Sequence, residues 1–240
     1  MKKPGPSYRF FLILLLSFSA LTGTSAAQSS LFNIPTTDTL TKGEKYLEAD
    51  FDAHFDSFRN GGWQGYGVLG VYGVDNRVEL GLNAYALRAA DGFDAVELQP
   101  NFKIKAYENE ELGVAVSTGA IAYIPLNERI GRGTALSAYA IVSKSFKSEW
   151  TPRLTGGAYQ LLGATPDSSD SRGLLLGVEQ LVHKRVSLIA DWNTGKNRFG
   201  YAAAGVGITL TKRSYLYSAY YFGNEGRANN SLGIYYGFSF

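Results

Sequence analysis

The chain has no cysteine, a single methionine and only two histidines. The lack of cysteine excludes a disulfide-stapled scaffold, a thiol nucleophile and a cysteine-ligated zinc site. Lys and Arg number 23 against 21 Asp and Glu, so the formal charge of +2 lacks the basic excess that a nucleic-acid-binding protein uses against phosphate. A length of 240 residues fits one domain or two small ones.

Long apolar runs are also missing, apart from one at the N-terminus, which excludes a polytopic helical membrane protein. The stretch from Phe10 to Ala20 is apolar except for two serines, follows three cationic residues and precedes a run of small residues. This order predicts a cleaved secretory signal peptide over residues 1–27, with an uncleaved anchor helix as the alternative. Removing residues 1–27 takes away three cations and no acid, which leaves a formal charge of −1.

The mature chain is rich in alternating segments. From Leu47 to Asp56, every apolar residue is followed by a polar one. A period of two places successive side chains on opposite faces of a β-strand, whereas a helix would mix the two classes on every face.

The same period predicts an all-β fold of about twelve strands, within a range of ten to fourteen. Clear alternation recurs in segments 77–86, 97–106, 186–193, 201–211 and 231–240. Weaker strand patterns cover segments 63–74, 112–124, 134–146, 151–162, 173–182 and 215–223. Most are close to the ~9–11 residues that a tilted transmembrane strand needs. Pro100 predicts a local irregularity in its strand, because proline removes one ladder N–H.

The connections between these segments fall into two alternating sets. Tight turns are predicted at residues 75–76, 108–111, 147–150, 183–185 and 211–214. Mostly longer, Gly/Asn/Asp-rich loops are predicted at residues 57–62, 89–94, 125–133, 163–172, 194–200 and 224–230. Outer-membrane barrels show this asymmetry, with short turns in the periplasm and longer loops outside. An even strand number places both termini in the periplasm.

Alternation alone does not tell whether the apolar face contacts lipid or a protein core. A soluble lipocalin-like barrel or a sandwich has the same period with the faces reversed. Three features favour lipid: ionisable groups of both signs on the polar faces, an aromatic or aliphatic residue at every second position of the last strand, and 33 Phe, Tyr and Trp residues. Several aromatics lie near predicted strand ends, as expected of membrane-interface girdles: Trp63, Tyr107, Tyr123, Trp150, Trp192 and Tyr215.

A signal peptide followed by amphipathic strands that end on a terminal Phe240 resembles the outer-membrane β-barrel proteins of Gram-negative bacteria. The resemblance covers residues 44–240 and is to the class, not to one characterised family. It implies a transmembrane antiparallel up-and-down barrel in the outer membrane, with outer-membrane lipid around it. It also implies that the barrel-assembly machinery recognises alternate residues of the last strand: Leu232, Ile234, Tyr236, Phe238 and Phe240.

The segment between the signal peptide and the barrel, residues 28–43, shows no periodicity and is predicted to be a periplasmic N-terminal segment. Its stretch from Asn33 to Leu40 is similar to leaders of poorly characterised barrels, which implies no activity. A soluble exported β-protein is the alternative to the barrel as a whole.

The polar face of the first strand is unusually acidic. It carries Glu48, Asp50, Asp52, His54 and Asp56. One interpretation is an acidic ladder that lines a pore and raises the local concentration of cations. The other is that these acids pair with Arg or Lys on neighbouring strands and fill the lumen. No metal site is predicted, because no glycine-punctuated calcium loop accompanies the acids.

The other charged candidates for the lumen come from two further strands. They are Arg77, Glu79, Glu97, Lys103 and Lys105. Lys103 and Lys105 either form the wall opposite the acids, which creates a transverse field, or belong to ion pairs that close the lumen.

Catalysis is not predicted. A nucleophile needs an oriented base within hydrogen-bond reach, and only two histidines are present. His54 has Ser57 three residues later, and His183 lies in a basic turn. No phospholipase-like motif surrounds either one.

The leading hypothesis is therefore a passive pore or small-solute channel with a polar, charged lumen and no cofactor or nucleic-acid partner. The alternatives are a structural or interaction barrel closed by ion pairs and a lipid-acting enzyme that uses His54.

Overall fold

The structure is a computed structural model that describes residues 29–90, 92–127, 133–148, 150–163 and 170–240. The predicted signal peptide, residues 1–27, lies outside these ranges, as do parts of the loops predicted at residues 89–94, 125–133 and 163–172.

Twelve antiparallel strands form the molecule, as the alternation predicted. The strands are β1 (Lys45–His54), β2 (Trp63–Asp75), β3 (Val78–Ala89), β4 (Gly92–Asn109), β5 (Val114–Pro125), β6 (Ala135–Ser145), β7 (Arg153–Gly163), β8 (Arg172–His183), β9 (Val186–Asn193), β10 (Tyr201–Thr209), β11 (Ser214–Gly223) and β12 (Ser231–Ser239). Two short 3-10 helices, Phe58–Asn60 and Arg227–Asn229, lie in connections. No helix among the described residues is long and apolar enough to cross a membrane.

The sheet closes on itself. Each strand pairs with its sequence neighbours, and β1 pairs with β12. Lys45 and Phe240 complete the closure, because each donates its N–H to the other's carbonyl oxygen at 2.9 Å. Closure removes the free strand edges that would otherwise leave backbone groups unpaired. We call the end with residue 45 and Phe240 the turn end and the opposite end the loop end.

The two faces of the wall differ as the sequence predicted. Leu47 is 48% exposed and Phe102 is 42% exposed on the outside, whereas Asp50 is 7% exposed and Lys103 is 2% exposed on the inside. The predicted assembly signal in β12 also faces outward, with Ile234, Tyr236, Phe238 and Phe240 exposed. The apolar side chains therefore form the outer surface of the barrel, and the charged ones lie in its interior.

The aromatic residues divide between the two faces, which corrects the girdle prediction in part. Tyr107, Trp150 and Trp192 are exposed on the outside. Tyr123 and Tyr215 are buried inside the barrel. Position in a strand, not proximity to its end, decides the direction of a side chain.

Pro100 disturbs one ladder only. It pairs with Leu82 of β3 without a register shift, whereas the β4–β5 pairing passes over Gln99 and Pro100 and resumes at Asn101. A bulge follows between Lys105 and Tyr107. The predicted irregularity is confirmed, and the strand continues through it.

Tyrosines and glycines are paired across neighbouring strands inside the barrel. Tyr85 lies opposite Gly67, and Tyr217 lies opposite Gly207. A β-carbon at Gly67 would lie 2.5 Å from Cε1 of Tyr85 and 2.9 Å from Oδ2 of Asp50. Glycine therefore leaves the space in which a ring lies against the wall, which explains part of the high glycine content.

We predict that Gly67→Ala destabilises the barrel by about 1–3 kcal/mol, because the added methyl group overpacks against the ring of Tyr85. The midpoint of urea unfolding in detergent or lipid measures this change. Gly156→Ala is the matched control, since a β-carbon at Gly156 has no atom within 4 Å. Equal midpoints for the two variants would contradict the pairing of ring and glycine.

Candidate functional site

Residues 29–40 lie inside the barrel, and we call them, together with the exposed Thr41 that follows, the plug. Its first part is a tight hairpin, in which Leu31 donates to the carbonyl of Ile34 at 2.8 Å and Thr36 donates to the carbonyl of Ser29 at 3.0 Å. A bridge between Ser30 and Pro35 completes the hairpin. Pro35 suits this position because the hydrogen bonds of the hairpin use the N–H groups of Leu31 and Thr36, and proline has no N–H of its own to leave unpaired.

The tip of the hairpin is held against β8 and β9. Asn33 donates from both its backbone nitrogen and its Nδ2 to the carboxylate of Asp191, each at 2.7 Å. Ile34 is fully buried, and its side chain packs over Gly177 of β8. A β-carbon at Gly177 would overlap Leu31 and Ile34, so glycine makes room for the plug.

A buried ion pair anchors the start and the end of the plug to β3 and β4. The Nζ of Lys103 lies 2.9 Å from Oε1 of Glu79, and both side chains are almost fully buried. Lys103 also donates to the carbonyl oxygen and the hydroxyl of Ser29, at 2.7 and 2.9 Å. Glu79 accepts from the hydroxyl of Ser29 and, at 3.0 Å, from the backbone N–H of Leu40. The plug thereby completes the hydrogen bonding of two buried charges.

The middle of the plug bonds to β5, β6 and β7. Asp38 forms an ion pair with Arg153, which also bonds Glu179 of β8 at 2.7 Å. The hydroxyl of Thr37 lies 2.5 Å from that of Ser143, and its carbonyl accepts from Ser117 at 2.7 Å. Because the plug contacts strands on several sides of the barrel, it fills the part of the lumen in which it lies.

The sequence predicted a periplasmic N-terminal segment over residues 28–43, whose lack of periodicity gave no strand partner for it. One signal was present, since Leu31, Ile34, Leu40 and four threonines with a single acid are an unusual composition for a solvated linker. The inner-wall partners Arg153 and Asp191 lie far along the chain from the plug. Only the closed barrel brings them together.

A cavity of about 340 Å³ lies between the plug and the loop end. Ser30, Leu31, Phe32 and Asn33 of the plug line it on one side. Glu48, Asp50 and Asp52 of β1 line the wall, together with aromatic side chains: Trp63, Tyr85, Tyr201, Tyr221 and Tyr235.

The three acids of β1 accept hydrogen bonds from tyrosines. Tyr46 donates to Glu48, Tyr85 donates to Asp50, and Tyr235 donates to Asp52. Within the part of the chain that the structure describes, none of the three takes part in an ion pair. The predicted acidic ladder is thus brought together in one cavity, without the predicted pairing to Arg or Lys.

Arg198, from the loop between β9 and β10, lies on another side of the cavity. Its Nη1 bonds Oε2 of Glu97 at 2.8 Å, and its guanidinium lies 4.4 Å from the ring centre of Phe199 and 4.9 Å from that of Tyr123. Two buried atoms lack a partner among the described residues: Nη2 of Arg198 and Oδ1 of Asp50. Arg198 lies in a loop without periodicity, so no sequence pattern singled it out.

Four of the predicted lumen residues have other surroundings. His54 is at the loop end, where its Nδ1 lies 2.6 Å from the carbonyl oxygen of Asn230. Asp56 and Arg77 are exposed in connections, because the alternation stops where β1 ends and β3 begins. Lys105 bonds Glu108 at 3.1 Å near the turn end. Lys103 and Lys105 are thus neutralised by neighbouring acids and do not face the acids of β1.

Metal coordination has no candidate within the described ranges, where no group of three or more His, Cys, Asp or Glu side chains is arranged to hold an ion.

Comparison with solved structures identifies the fold. An outer membrane channel from Pseudomonas putida F1 matches 85% of this chain and 98% of its own, with a TM-score of 0.54 and 15% identity. Outer membrane phospholipase A from Escherichia coli matches 83% of this chain and 93% of its own, with a TM-score of 0.50 and 12% identity. The Salmonella typhi outer membrane phospholipase, a dimer with bound calcium, matches 92% of this chain and 98% of its own, with a TM-score of 0.50 and 14% identity. No protein-family profile and no curated protein matches the sequence.

At these identities the likeness is one of fold. Together with the apolar outer surface and the closed twelve-stranded sheet, it identifies the chain as an outer-membrane β-barrel of the Gram-negative type. In barrels of this class, lipid surrounds the apolar belt and the short turns lie at the periplasmic end.

We predict that Lys103→Met destabilises the protein by about 3–5 kcal/mol, because it leaves the carboxylate of Glu79 buried without its cation. The double variant Glu79→Gln/Lys103→Met should recover much of this loss, as measured by urea unfolding of the refolded barrel. Lys105→Met is the control, since its partner Glu108 is largely solvated and such pairs contribute about 0–1 kcal/mol. Similar losses for both lysine variants would show that the Glu79 pair has no special role.

Proposed function

We propose that this barrel is an outer-membrane channel for small solutes and that the plug closes its path in the state described here. The observation that carries the proposal is the polarity of the wall behind the plug. Six inward-facing residues at that level are charged or hydroxylated and lie beside apolar ones such as Ile141 and Ile189: Glu79, Lys103, Ser117, Ser143, Arg153 and Asp191. A permanently dry core would be built mainly of apolar side chains.

The contacts of the plug are of a kind that water can replace. Asp38 bonds Arg153, Asn33 bonds Asp191 and Ser29 bonds Lys103. If the plug leaves the lumen, these wall residues become solvated and line an aqueous passage. Apolar contacts, chiefly those of Leu31, Ile34 and Leu40, oppose release. The plug is therefore expected to stay in the lumen at rest, and its release requires free energy to break these apolar contacts.

The covalent attachment of the plug also allows movement. Its last residues connect to β1 at the turn end, where Gly43 donates to the carbonyl of Gly73 at 2.8 Å. Gly43 has a φ of +85°, a conformation that glycine adopts without strain. The plug can leave toward the periplasm by changes at this connection while the barrel stays intact.

The likeness to a Pseudomonas putida outer membrane channel supports the proposal at the level of fold. The phospholipases share the same fold, and fold does not carry activity. In this chain Nδ1 of His54 lies against a backbone carbonyl, and the backbone N–H of Ser57 donates to Asp56. We keep a lipid-acting enzyme as the second candidate, to be supported only by lipid turnover that His54→Ala abolishes.

We predict that deleting residues 29–41 raises single-channel conductance in planar bilayers several-fold, because the remaining wall is polar. Heat-modifiable gel migration should confirm that the shortened chain still folds as a barrel. A folded barrel without the plug that conducts no current at any voltage would remove the channel function and favour a structural barrel.

A reversible lock tests the plug as the gate. The side-chain oxygens of Thr37 and Ser143 are 2.5 Å apart, a placement suited to a disulfide. The chain has no cysteine of its own, so Thr37→Cys/Ser143→Cys introduces the single pair. We expect residual conductance to fall under oxidation and to return on reduction, with Thr37→Cys alone as the control. Equal conductance in both redox states would exclude movement of the plug as the gating step.

A further inference from the structure

We propose that the cavity between the plug and the loop end binds a small organic cation of the basic amino acid type. A guanidinium or ammonium group would be held by Asp50 and Asp52, and an acceptor group such as a carboxylate would face Arg198. The inference deepens the proposed channel function by naming its solute class. Binding itself does not depend on conduction.

The charge of the cavity requires a counter-charge. Glu48, Asp50 and Asp52 project from alternate positions of one strand, so their carboxylates are neighbours in the same enclosed space. No cation within the described part of the chain pairs with them. Burial and the neighbouring acids make ionisation of these carboxyl groups costly, and a bound cation favours their ionised form.

An unsatisfied atom provides a second, independent observation. Asp50 lines the cavity and is 7% exposed, yet its Oδ1 has no hydrogen-bond donor among the described residues. Its Oδ2 accepts from Tyr85, which holds the carboxylate in place. Buried polar atoms are normally satisfied. An oriented carboxylate that bonds a tyrosine and the carboxyl of Glu48, but no cation, is suited to accept an N–H from a ligand.

Size and lining favour an organic cation over a metal ion. A volume of about 340 Å³ is within the range of small-molecule pockets, ~300–1,000 Å³. Aromatic rings of Tyr85, Tyr221, Tyr235 and Trp63 border the space. The face of such a ring attracts an organic cation. Tyrosine hydroxyls already occupy one oxygen of each acid, which suits hydrogen-bond recognition better than metal coordination.

Arg198 defines the other end of the ligand. One of its terminal nitrogens is used by Glu97, while the buried Nη2 has no acceptor among the described residues. Stacking on Phe199 and Tyr123 fixes the guanidinium plane. A carboxylate on the ligand would satisfy Nη2 in a charge-assisted hydrogen bond. Acids on one wall and an arginine on another match a molecule that carries both signs of charge.

Isothermal titration of the full-length protein in detergent tests the site, with L-arginine, agmatine and L-glutamate as probes. We expect saturable binding of L-arginine and agmatine and none of L-glutamate. Asp50→Asn/Asp52→Asn should lower the affinity for both cations by about tenfold or more, because charge-assisted hydrogen bonds are lost. Each asparagine can still accept the hydrogen bond from its tyrosine, Tyr85 or Tyr235. Glu225→Gln, an exposed loop acid, is the control and should change neither affinity.

The role of Arg198 is tested by Glu97→Gln/Arg198→Gln, which removes an ion pair without changing net charge. The ratio of L-arginine to agmatine affinity should fall in this variant, since agmatine lacks the carboxylate. An unchanged ratio would overturn the assignment of Arg198.

Three results would overturn the site itself: no saturable binding of either cation at millimolar concentration, unchanged affinity in Asp50→Asn/Asp52→Asn, or Ca²⁺ binding that excludes both. The outcome is separable from that of the channel proposal. Binding without conductance in the plug deletion would leave a binding site in a barrel that is not a channel. Conductance without binding would leave a channel for another solute.

Discussion

In hydrocarbon no water is present to bond a free N–H or C=O, so strands can cross a membrane only as members of a closed sheet. The hydrogen bonds between Lys45 and Phe240, which join the first strand to the end of the chain, complete that closure here. Closure turns one face of every strand toward lipid and the other toward the interior of the barrel. Leu47 and Glu48 are neighbours in sequence, yet closure places the side chain of Leu47 on the outer surface and that of Glu48 in the interior.

The interior of a twelve-stranded barrel is narrow, and two devices fill it. Tyrosine rings lie against glycines of adjacent strands, as Tyr85 does over Gly67. Their hydroxyls donate to the carboxylates of β1, so the apolar part of each ring packs against the wall while its polar end forms a hydrogen bond. The plug occupies what remains near the turn end. The carboxylates of the cavity and the plug behind them are the features on which the proposed channel function rests.

Charges inside the barrel are treated in two ways. Glu79 and Lys103 are mutually paired and bonded to the plug, and Arg153 joins Asp38 and Glu179. These groups hold the plug because a buried charge without a partner is costly. The acids of the cavity are bonded to neutral tyrosines. The first group is consistent with a structural role, and the second leaves its charge available to a ligand.

The strand number, the direction of most side chains in the alternating segments and the acidic face of β1 followed from the sequence, because strand alternation is a local property with a period of two. The irregularity at Pro100, the positions of the turns and the outward direction of alternate residues in β12 were predictable for the same reason. The position of the plug was not, since Asp38 meets Arg153 and Asn33 meets Asp191 only after the wall has closed. The same holds for Arg198, which lines the same cavity as the acids. Contacts across a lumen join residues far apart in the chain, and no periodicity encodes which of them face each other.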